Sequence, residues 1–210
     1  IIWIGPTPET LRLMGNKLDA KIFAQNLGIP VLNDVPIFLD QLEETASSLP
    51  YPVLIKSSHG GGGKGMQIVQ TPNEMMEKAT TASRMALNYF GNGDIYTEPF
   101  IVKARHIEVQ ILGDSHGNLV HLYERDCTLQ RNYQKIIEEA PAPGLSEKLR
   151  ESILDSAIKI GQALRYTGAG TVEFLLDESG RYYFMEMNPR IQVEHPVTEE
   201  ITGIDIVREQ

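Results

Sequence analysis

The chain has 210 residues, of which 41% are hydrophobic and 22% charged, a composition that excludes an intrinsically disordered protein. Nineteen basic against 28 acidic residues give a net charge of −9, which argues against a protein that binds nucleic acid through the phosphate backbone. A single cysteine, Cys127, and no apolar run near the ~18 residues of a membrane helix predict a protein of a reducing compartment with no membrane partner, cytoplasmic or, in a eukaryote, mitochondrial.

The two ends of the sequence predict an internal fragment of a larger protein. Residues 1–4 form an apolar, β-type run without an initiator methionine. Residues 203–210 are typical of the first turns of a helix that continues beyond them. We therefore expect that a larger protein contains this sequence.

The first half of the chain is predicted to form short helices and two strands. Thr7 and Pro8 favour a helix start, because Thr is a good N-cap and Pro fits the first helical position. Asn16 is predicted to cap a second helix, over 17–26. The later elements of this half are an acidic helix, two strands and a Met-rich helix, expected at 41–48, 51–56, 66–70 and 72–90.

Antiparallel hairpins dominate the predicted second half. Ser146 predicts the cap of a helix with one apolar stripe. Strands are expected at 95–101, 106–112, 119–124, 171–176 and 182–188. The polar run 124–135 is typical of a solvated loop or of the wall of a site. This mixture predicts an α+β or mixed α/β fold rather than a doubly wound sheet.

Four consecutive glycines stand between two lysines in the segment 56–65. Their backbone N–H groups can surround phosphate oxygens, to which Lys56 and Lys64 add positive charge. A dinucleotide-binding loop is excluded because a strand, not a helix, follows, and a Walker A loop because Lys64 precedes Gly65 rather than Ser or Thr. A flap that closes over a triphosphate and a plain hairpin tip both remain open.

Two facing carboxylates predict a metal site. If the last hairpin pairs Asp177 with Tyr182, Glu173 lies opposite Glu186, and Asn188 shares their face. Apolar Phe174, Leu176, Met185 and Met187 then form the other face. Oxygen ligands of this kind suit Mg²⁺ or Mn²⁺, although a solvated polar face would also explain them.

Two further polar sets occur in the sequence, one directly after that hairpin and one on an earlier strand. Alternation places Arg190, Gln192 and Glu194 on one side of the segment after it, where they could hold a small planar anion and remove its proton. His106 and Glu108 share one face of another strand, where a histidine is more often structural than catalytic. By themselves both sets also fit ordinary polar surfaces.

Six segments together resemble the biotin carboxylase component of biotin-dependent carboxylases, at 56–66, 104–110, 124–127, 138–143, 168–174 and 186–199. The string Arg-Ile-Gln-Val-Glu-His-Pro at 190–196 is the most specific of them. The resemblance implies an α+β ATP-grasp fold with a mobile glycine-rich lid subdomain over an antiparallel-sheet core. It assigns 1–30 to the end of a preceding domain with linking helices, 31–98 to the lid and 99–210 to a truncated core.

The same resemblance implies the role of each site residue. ATP-binding positions are Lys17, Lys56, Gly60, Gly61, Gly62, Gly63, Gly65, Met66, Glu98, Ile101, His106, Gln130 and Leu175. Metal ligands, for two Mg²⁺ or Mn²⁺ ions, are Glu173, Glu186 and Asn188. The bicarbonate and biotin site comprises Lys135, Arg190, Gln192, Val193 and Glu194, with Lys135, Arg190 and Glu194 as catalytic residues and Glu194 as the general base. Tyr133, Pro99 and His59 depart from the pattern common in the family.

The activity implied is ATP-dependent carboxylation of biotin by bicarbonate through carboxyphosphate. Implied partners are a biotin carboxyl carrier protein or domain and a carboxyltransferase component, in a homo-oligomeric parent. Two alternatives stay open: another ATP-grasp ligase such as carbamoyl-phosphate synthetase, and a nucleotide-binding fragment inactive in isolation. The final acceptor, whether acetyl-CoA, propionyl-CoA, pyruvate or urea, is not specified by these residues.

Overall fold

The computed structural model describes residues 3–59 and 65–210 and divides the chain into two compact units. The larger unit comprises the chain up to Val31, Lys103–Arg131 and Lys135–Gln210, and the smaller comprises Leu32–Val102 and Asn132–Gln134. In the part of the chain that the structure describes, no helix is both long and apolar enough to cross a membrane.

The secondary-structure elements follow one another along the described residues as helices, strands and two short 3₁₀ turns. The helices are α1 Pro8–Gly15, α2 Lys17–Asn26, α3 Leu42–Ser48, α4 Met75–Phe90, α5 Glu147–Ala163, α6 His195–Thr202 and α7 Ile206–Glu209. The strands are β1 Val35–Ile37, β2 Val53–Ser57, β3 Gln67–Val69, β4 Ile95–Pro99, β5 Arg105–Gly113, β6 Leu119–Arg131, β7 Gln134–Glu139, β8 Gly168–Leu176 and β9 Tyr182–Asn188. The 3₁₀ turns are Leu39–Gln41 and Pro72–Glu74.

Local capping explains where several helices begin and end. The side chain of Asn16 accepts hydrogen bonds from the N–H groups of Leu18 and Asp19, which fixes the start of α2. Ser146 caps α5 in the same way. Gly91 ends α4 with a φ of 73°, a left-handed conformation that glycine adopts without steric cost.

The smaller unit packs α3 and α4 on an antiparallel sheet. Its strands lie in the order β1-β4-β2-β3, with β2 antiparallel to both of its neighbours. Alanines of α4, among them Ala79 and Ala82, let the helix approach the sheet closely and are fully buried against Val53, Ile55 and Val69.

The larger unit carries the sheet on which most of the polar groups lie. Its strand order is β7-β6-β5-β8-β9, and β5 pairs antiparallel with β6 and with β8. Side chains alternate between two faces along each strand. Ile107 and Phe174 lie on the face that packs against α5, where Ile153 and Ile160 are fully buried. The other face is polar.

Several predicted elements differ from the observed ones. Residues 1 and 2 lie outside the described residues, and Trp3 and Ile4 are not in a strand. The predicted strand 95–101 ends at Pro99, and the acidic and Met-rich helices each begin with a 3₁₀ turn. The polar run 124–135, predicted as a loop or site wall, is instead the end of β6 and the start of β7. Asn132 and Tyr133 form the turn between them with φ of 52° and 63°, the left-handed values of a tight hairpin.

Candidate active site

Three carboxylates form a row across the polar face of the larger sheet. Glu108 on β5 lies opposite Glu173 on β8, and Glu173 lies opposite Glu186 on β9. Glu108 and Glu173 are almost fully buried. Like charges in such a row repel one another strongly unless cations compensate them.

The facing pair Glu173 and Glu186 was predicted from a register that the structure corrects. Near the turn Tyr182 pairs with Leu176 rather than with Asp177, one residue away from the prediction. A β-bulge at the next residues shifts the register and restores the pair Glu173–Glu186. For the same reason Phe184, not Met185, packs in the core beside Met187.

Lys135 is a cation that compensates Glu108 and Glu173 of this row. Its Nζ donates to Glu173 Oε1 at 3.0 Å, to Glu194 Oε1 at 2.6 Å and to Glu108 Oε2. Burial alone would lower the pKa of Lys135, but the carboxylates of Glu173 and Glu108 raise it, so the ammonium stays charged. Burial alone would raise the pKa of Glu194, but Lys135 outweighs it and keeps that carboxylate ionised with a lowered pKa.

Glu173 is the most heavily contacted of the carboxylates. His106 Nε2 lies 2.9 Å from Glu173 Oε2, while the amides of Asn188 and Gln192 donate to Oε1 at 2.8 and 3.0 Å. Burial opposes ionisation, but the charges of His106 and Lys135 hold the pKa of Glu173 well below its usual range. Conversely, burial alone would lower the pKa of His106, but the carboxylate of Glu173 outweighs burial and raises that pKa.

Gln130 and Leu175 flank His106. Gln130 Nε2 lies 2.8 Å from His106 Nδ1 and donates to the carbonyl of Cys127. Leu175 is the direct cross-strand neighbour of His106. The structure therefore brings these three predicted nucleotide-binding residues together at one end of the polar face.

The segment 189–194 is not the strand on which the predicted alternation depended, but a turn that leads into α6. Three of its side chains still converge on the cluster. Arg190 donates to Asn188 Oδ1 at 3.1 Å, Gln192 reaches Glu173, and Glu194 reaches Lys135. Val193 points away from the protein and is 92% exposed.

Arg125 is a member of the cluster that sequence reasoning did not single out. It lies on β6 directly opposite Glu108, is fully buried, and donates from Nε to Glu108 Oε1 at 2.7 Å. A charged residue in a polar run gives no periodic signal. The sequence indicated it only indirectly. Arg125 directly follows the predicted strand 119–124, which neighbours the strand that carries Glu108, and a buried carboxylate requires a cation.

The oxygen-rich donor set is compatible with a hard divalent cation. Facing carboxylates of Glu173 and Glu186, with the amide of Asn188 beside them, supply ligands that Mg²⁺ or Mn²⁺ prefers. In the described part of the chain, candidate ligand atoms lie within 4.8 Å of one another in two groups: His106 with Glu108 and Glu173, and Glu108 with Cys127 and Glu194. Glu186 itself pairs with Lys17.

Other predicted nucleotide-binding residues belong to the smaller unit. Lys56 on β2 and Glu98 on β4 form a buried ion pair at 2.5 Å. Gly65 has a φ of 79°, and Met66 precedes β3, while Ile101 follows the end of β4. Gly60, Gly61, Gly62, Gly63 and Lys64 lie outside the described residues.

The structure has the architecture of an ATP-grasp fold: two antiparallel-sheet units, of which the larger carries a polar face. The chain belongs to the family described as carbamoyl-phosphate synthase L chain, ATP binding domain, whose model matches residues 16–210. The similarity to solved biotin carboxylase structures confirms the predicted α+β ATP-grasp fold.

Relatives and solved structures cover almost the whole chain. It is 51% identical to biotin carboxylase of Nostoc over all of its length, which is 48% of that protein. It is 48% identical to mitochondrial pyruvate carboxylase of Mus musculus, over 99% of the chain and 18% of the relative. The biotin carboxylase domain of Hydrogenobacter thermophilus 2-oxoglutarate carboxylase, solved with MgADP, ADP and bicarbonate, is 42% identical with a TM-score of 0.94, over 99% of this chain and 47% of that one. The chain thus spans about half the length of its biotin carboxylase relatives.

Proposed function

We propose that this chain is the ATP-binding part of a biotin carboxylase, which carboxylates biotin with bicarbonate at the expense of ATP. The observation that carries the proposal is the contact of Lys135 with Glu194, beside Gln192 and the carboxylate row. This arrangement combines an ionised base, a buried cation and candidate metal ligands within one cluster. The names of the Nostoc and Hydrogenobacter relatives support the same activity.

Glu194 has the chemistry of the general base. Because Lys135 keeps it ionised, its carboxylate accepts the proton of bicarbonate at neutral pH. A bicarbonate oxygen then forms a bond to the γ-phosphorus of ATP as ADP leaves, which gives carboxyphosphate. Carboxyphosphate then breaks its C–O bond to give CO₂ and phosphate, with the electron pair returning to the phosphate oxygen. That phosphate takes the proton from N1 of biotin, and N1 forms the new C–N bond to CO₂. Lys135, Arg190, Gln192 and the backbone of Val193 would position the anion.

Charge neutralisation is the remaining task, because phosphoryl transfer depends on stabilising the phosphate oxygens. Glu173, Glu186 and Asn188 would hold Mg²⁺ or Mn²⁺, which supplies Lewis-acid charge when bound. Lys17, Lys56 and the glycine segment would contact the ATP phosphates, and Glu98, Ile101, His106, Gln130 and Leu175 would form the rest of the nucleotide site. We assign the lid role to the smaller unit.

Further assignments follow from the same proposal. Biotin would be presented by a carrier protein or domain, and a carboxyltransferase component would use the product. We propose a homo-oligomer, with a cytoplasmic location in a bacterium; the mitochondrial mouse relative supports a mitochondrial location in a eukaryote. The similarity to larger proteins, such as pyruvate carboxylase, supports both partner assignments.

The test is ATP hydrolysis by the full-length protein with bicarbonate, Mg²⁺ and free biotin. We expect hydrolysis to require bicarbonate and to increase with biotin. Glu186→Gln should reduce Mg²⁺-dependent turnover to background, whereas Glu178→Gln, an exposed carboxylate on the same hairpin, should leave it unchanged. Hydrolysis indifferent to both bicarbonate and biotin would contradict the proposal, and stimulation by ammonia instead of biotin would indicate carbamoyl-phosphate synthesis.

A further inference from the structure

Arg125 has an unusually complete set of buried partners. Its side chain is fully buried on β6. Besides Glu108, its guanidinium donates to four neutral side chains: Gln110 at 2.9 Å, Thr198 at 2.7 Å, Gln192 at 3.3 Å and Thr171 at 3.5 Å. All three nitrogens are therefore used, and the partners come from β5, β8, the turn 189–194 and α6.

The turn 189–194 depends on side-chain contacts because few backbone hydrogen bonds hold it. Arg190 N–H donates to the carbonyl of Asn188, and His195 N–H donates to that of Gln192 at a long 3.3 Å. Arg125 contacts both this turn and the helix that follows it. The partner in the turn is Gln192, and the partner in the helix is the hydroxyl of Thr198 on α6, which begins directly after Glu194.

We propose that Arg125 is a positioning residue for the anion site, which fixes Gln192 and the start of α6 at a set distance from Glu108. The inference rests on the proposed function, since it concerns the same site. Arg125 is a link between the carboxylate that holds Lys135 from the sheet and the turn that carries Glu194. Its effect on bicarbonate is exerted through Gln192 and Glu194.

Only arginine can make this link. The planar guanidinium presents five N–H groups at fixed angles, so it bonds Glu108 through Nε while Nη1 and Nη2 reach the turn and α6. A lysine at position 125 keeps the charge that Glu108 requires but offers a single nitrogen. Arg125→Lys therefore separates the positioning role from the purely electrostatic one.

The experiment measures the steady-state kinetics of Arg125→Lys in the full-length protein. Misplacing reacting groups by about 1 Å can cost roughly a hundredfold in rate, so we expect kcat/KM for bicarbonate to fall roughly tenfold to a hundredfold. The KM for ATP should stay within about twofold of wild type, since, among the described residues, the hydrogen bonds of the Arg125 side chain go to none of the proposed nucleotide-binding residues. The matched control is Arg150→Lys. Arg150 on α5 donates a hydrogen bond to the buried Glu124, which lies on β6 beside Arg125 but on the other face of that strand.

The outcomes separate this inference from the proposed function. A wild-type protein without bicarbonate-dependent hydrolysis overturns the proposed function. An active wild type with unchanged bicarbonate kinetics in Arg125→Lys overturns the positioning role alone, as do equal losses for bicarbonate and ATP. If Arg125→Lys does not fold, Thr198→Val decides: it removes one anchor of α6 and should raise the KM for bicarbonate severalfold, whereas no change would overturn the inference.

Discussion

Replacing Lys135 with methionine removes the cation shared by three carboxylates. The Nζ atom lies 2.6 Å from Glu194 and 3.0 Å from Glu173, and it also contacts Glu108. At an effective dielectric constant of about 20, each such contact corresponds to about 6 kcal/mol of attraction before dehydration is subtracted. Because loss of one partner leaves buried charges uncompensated, we expect the free energy of unfolding to fall by about 3–5 kcal/mol.

Urea unfolding of the full-length protein in EDTA, without nucleotide, measures this loss. The pKa of Glu173 is lowered in the folded protein, so its stabilising effect is present above the unfolded pKa and is lost as pH falls. Without Lys135 the pKa of Glu173 is lowered less, so the difference between wild type and variant should shrink as the pH falls from about 5 to about 3, through the ordinary value of 4.5. Lys103→Met is the control, since Lys103 and Glu178 are 74% and 68% exposed and such pairs contribute at most about 1 kcal/mol. A loss of under about 1 kcal/mol in Lys135→Met, or one independent of pH, would show that the cluster is not held by this charge.

Two further predictions concern the stability of the fold. Burial acts to raise the pKa of Asp177, but hydrogen bonds in the turn, first that from Ser179, lower it to about 2. The stability of the wild-type protein should therefore fall between pH 4 and pH 2. Urea titrations of Asp177→Asn should show a weaker dependence on pH over this range. In Gly113→Ala the new Cβ would lie 2.1 Å from the carbonyl oxygen of Tyr166, so the free energy of unfolding should fall by about 1–3 kcal/mol. Gly15→Ala, with open space around it, should leave it unchanged. Equal unfolding curves for the two alanine variants would refute the packing argument.

Local signals predicted the helices other than α6 well because helix ends are fixed by nearby residues. The range 17–26 predicted for α2 is the observed one, since Asn16 caps it from an adjacent position. The strand register near Tyr182 was wrong by one residue because a β-bulge depends on the partner strand. The hairpin after β6 was missed because its turn places Tyr133 at positive φ, a conformation uncommon for a bulky residue.

The site was predicted only in part, because cross-strand pairs leave a signal in the sequence and contacts between distant segments do not. Carboxylates with a fixed cross-strand relation, such as Glu173 and Glu186, are visible in a sequence once a hairpin is assumed. Arg125 was not, because its partners come from four separate segments and no spacing encodes them. Gln192 and Glu194 were grouped correctly by a strand pattern that the structure replaces with a turn.

The origin of the oxygen that attacks ATP tests the central claim most directly. The full-length protein is incubated with ATP, Mg²⁺, biotin and bicarbonate labelled with heavy oxygen, and the phosphate released is analysed by mass spectrometry. If bicarbonate attacks the γ-phosphorus and carboxyphosphate then loses CO₂, one labelled oxygen per phosphate is retained. Phosphate that carries only oxygen from water would contradict the account, because ATP would then be hydrolysed without activation of bicarbonate.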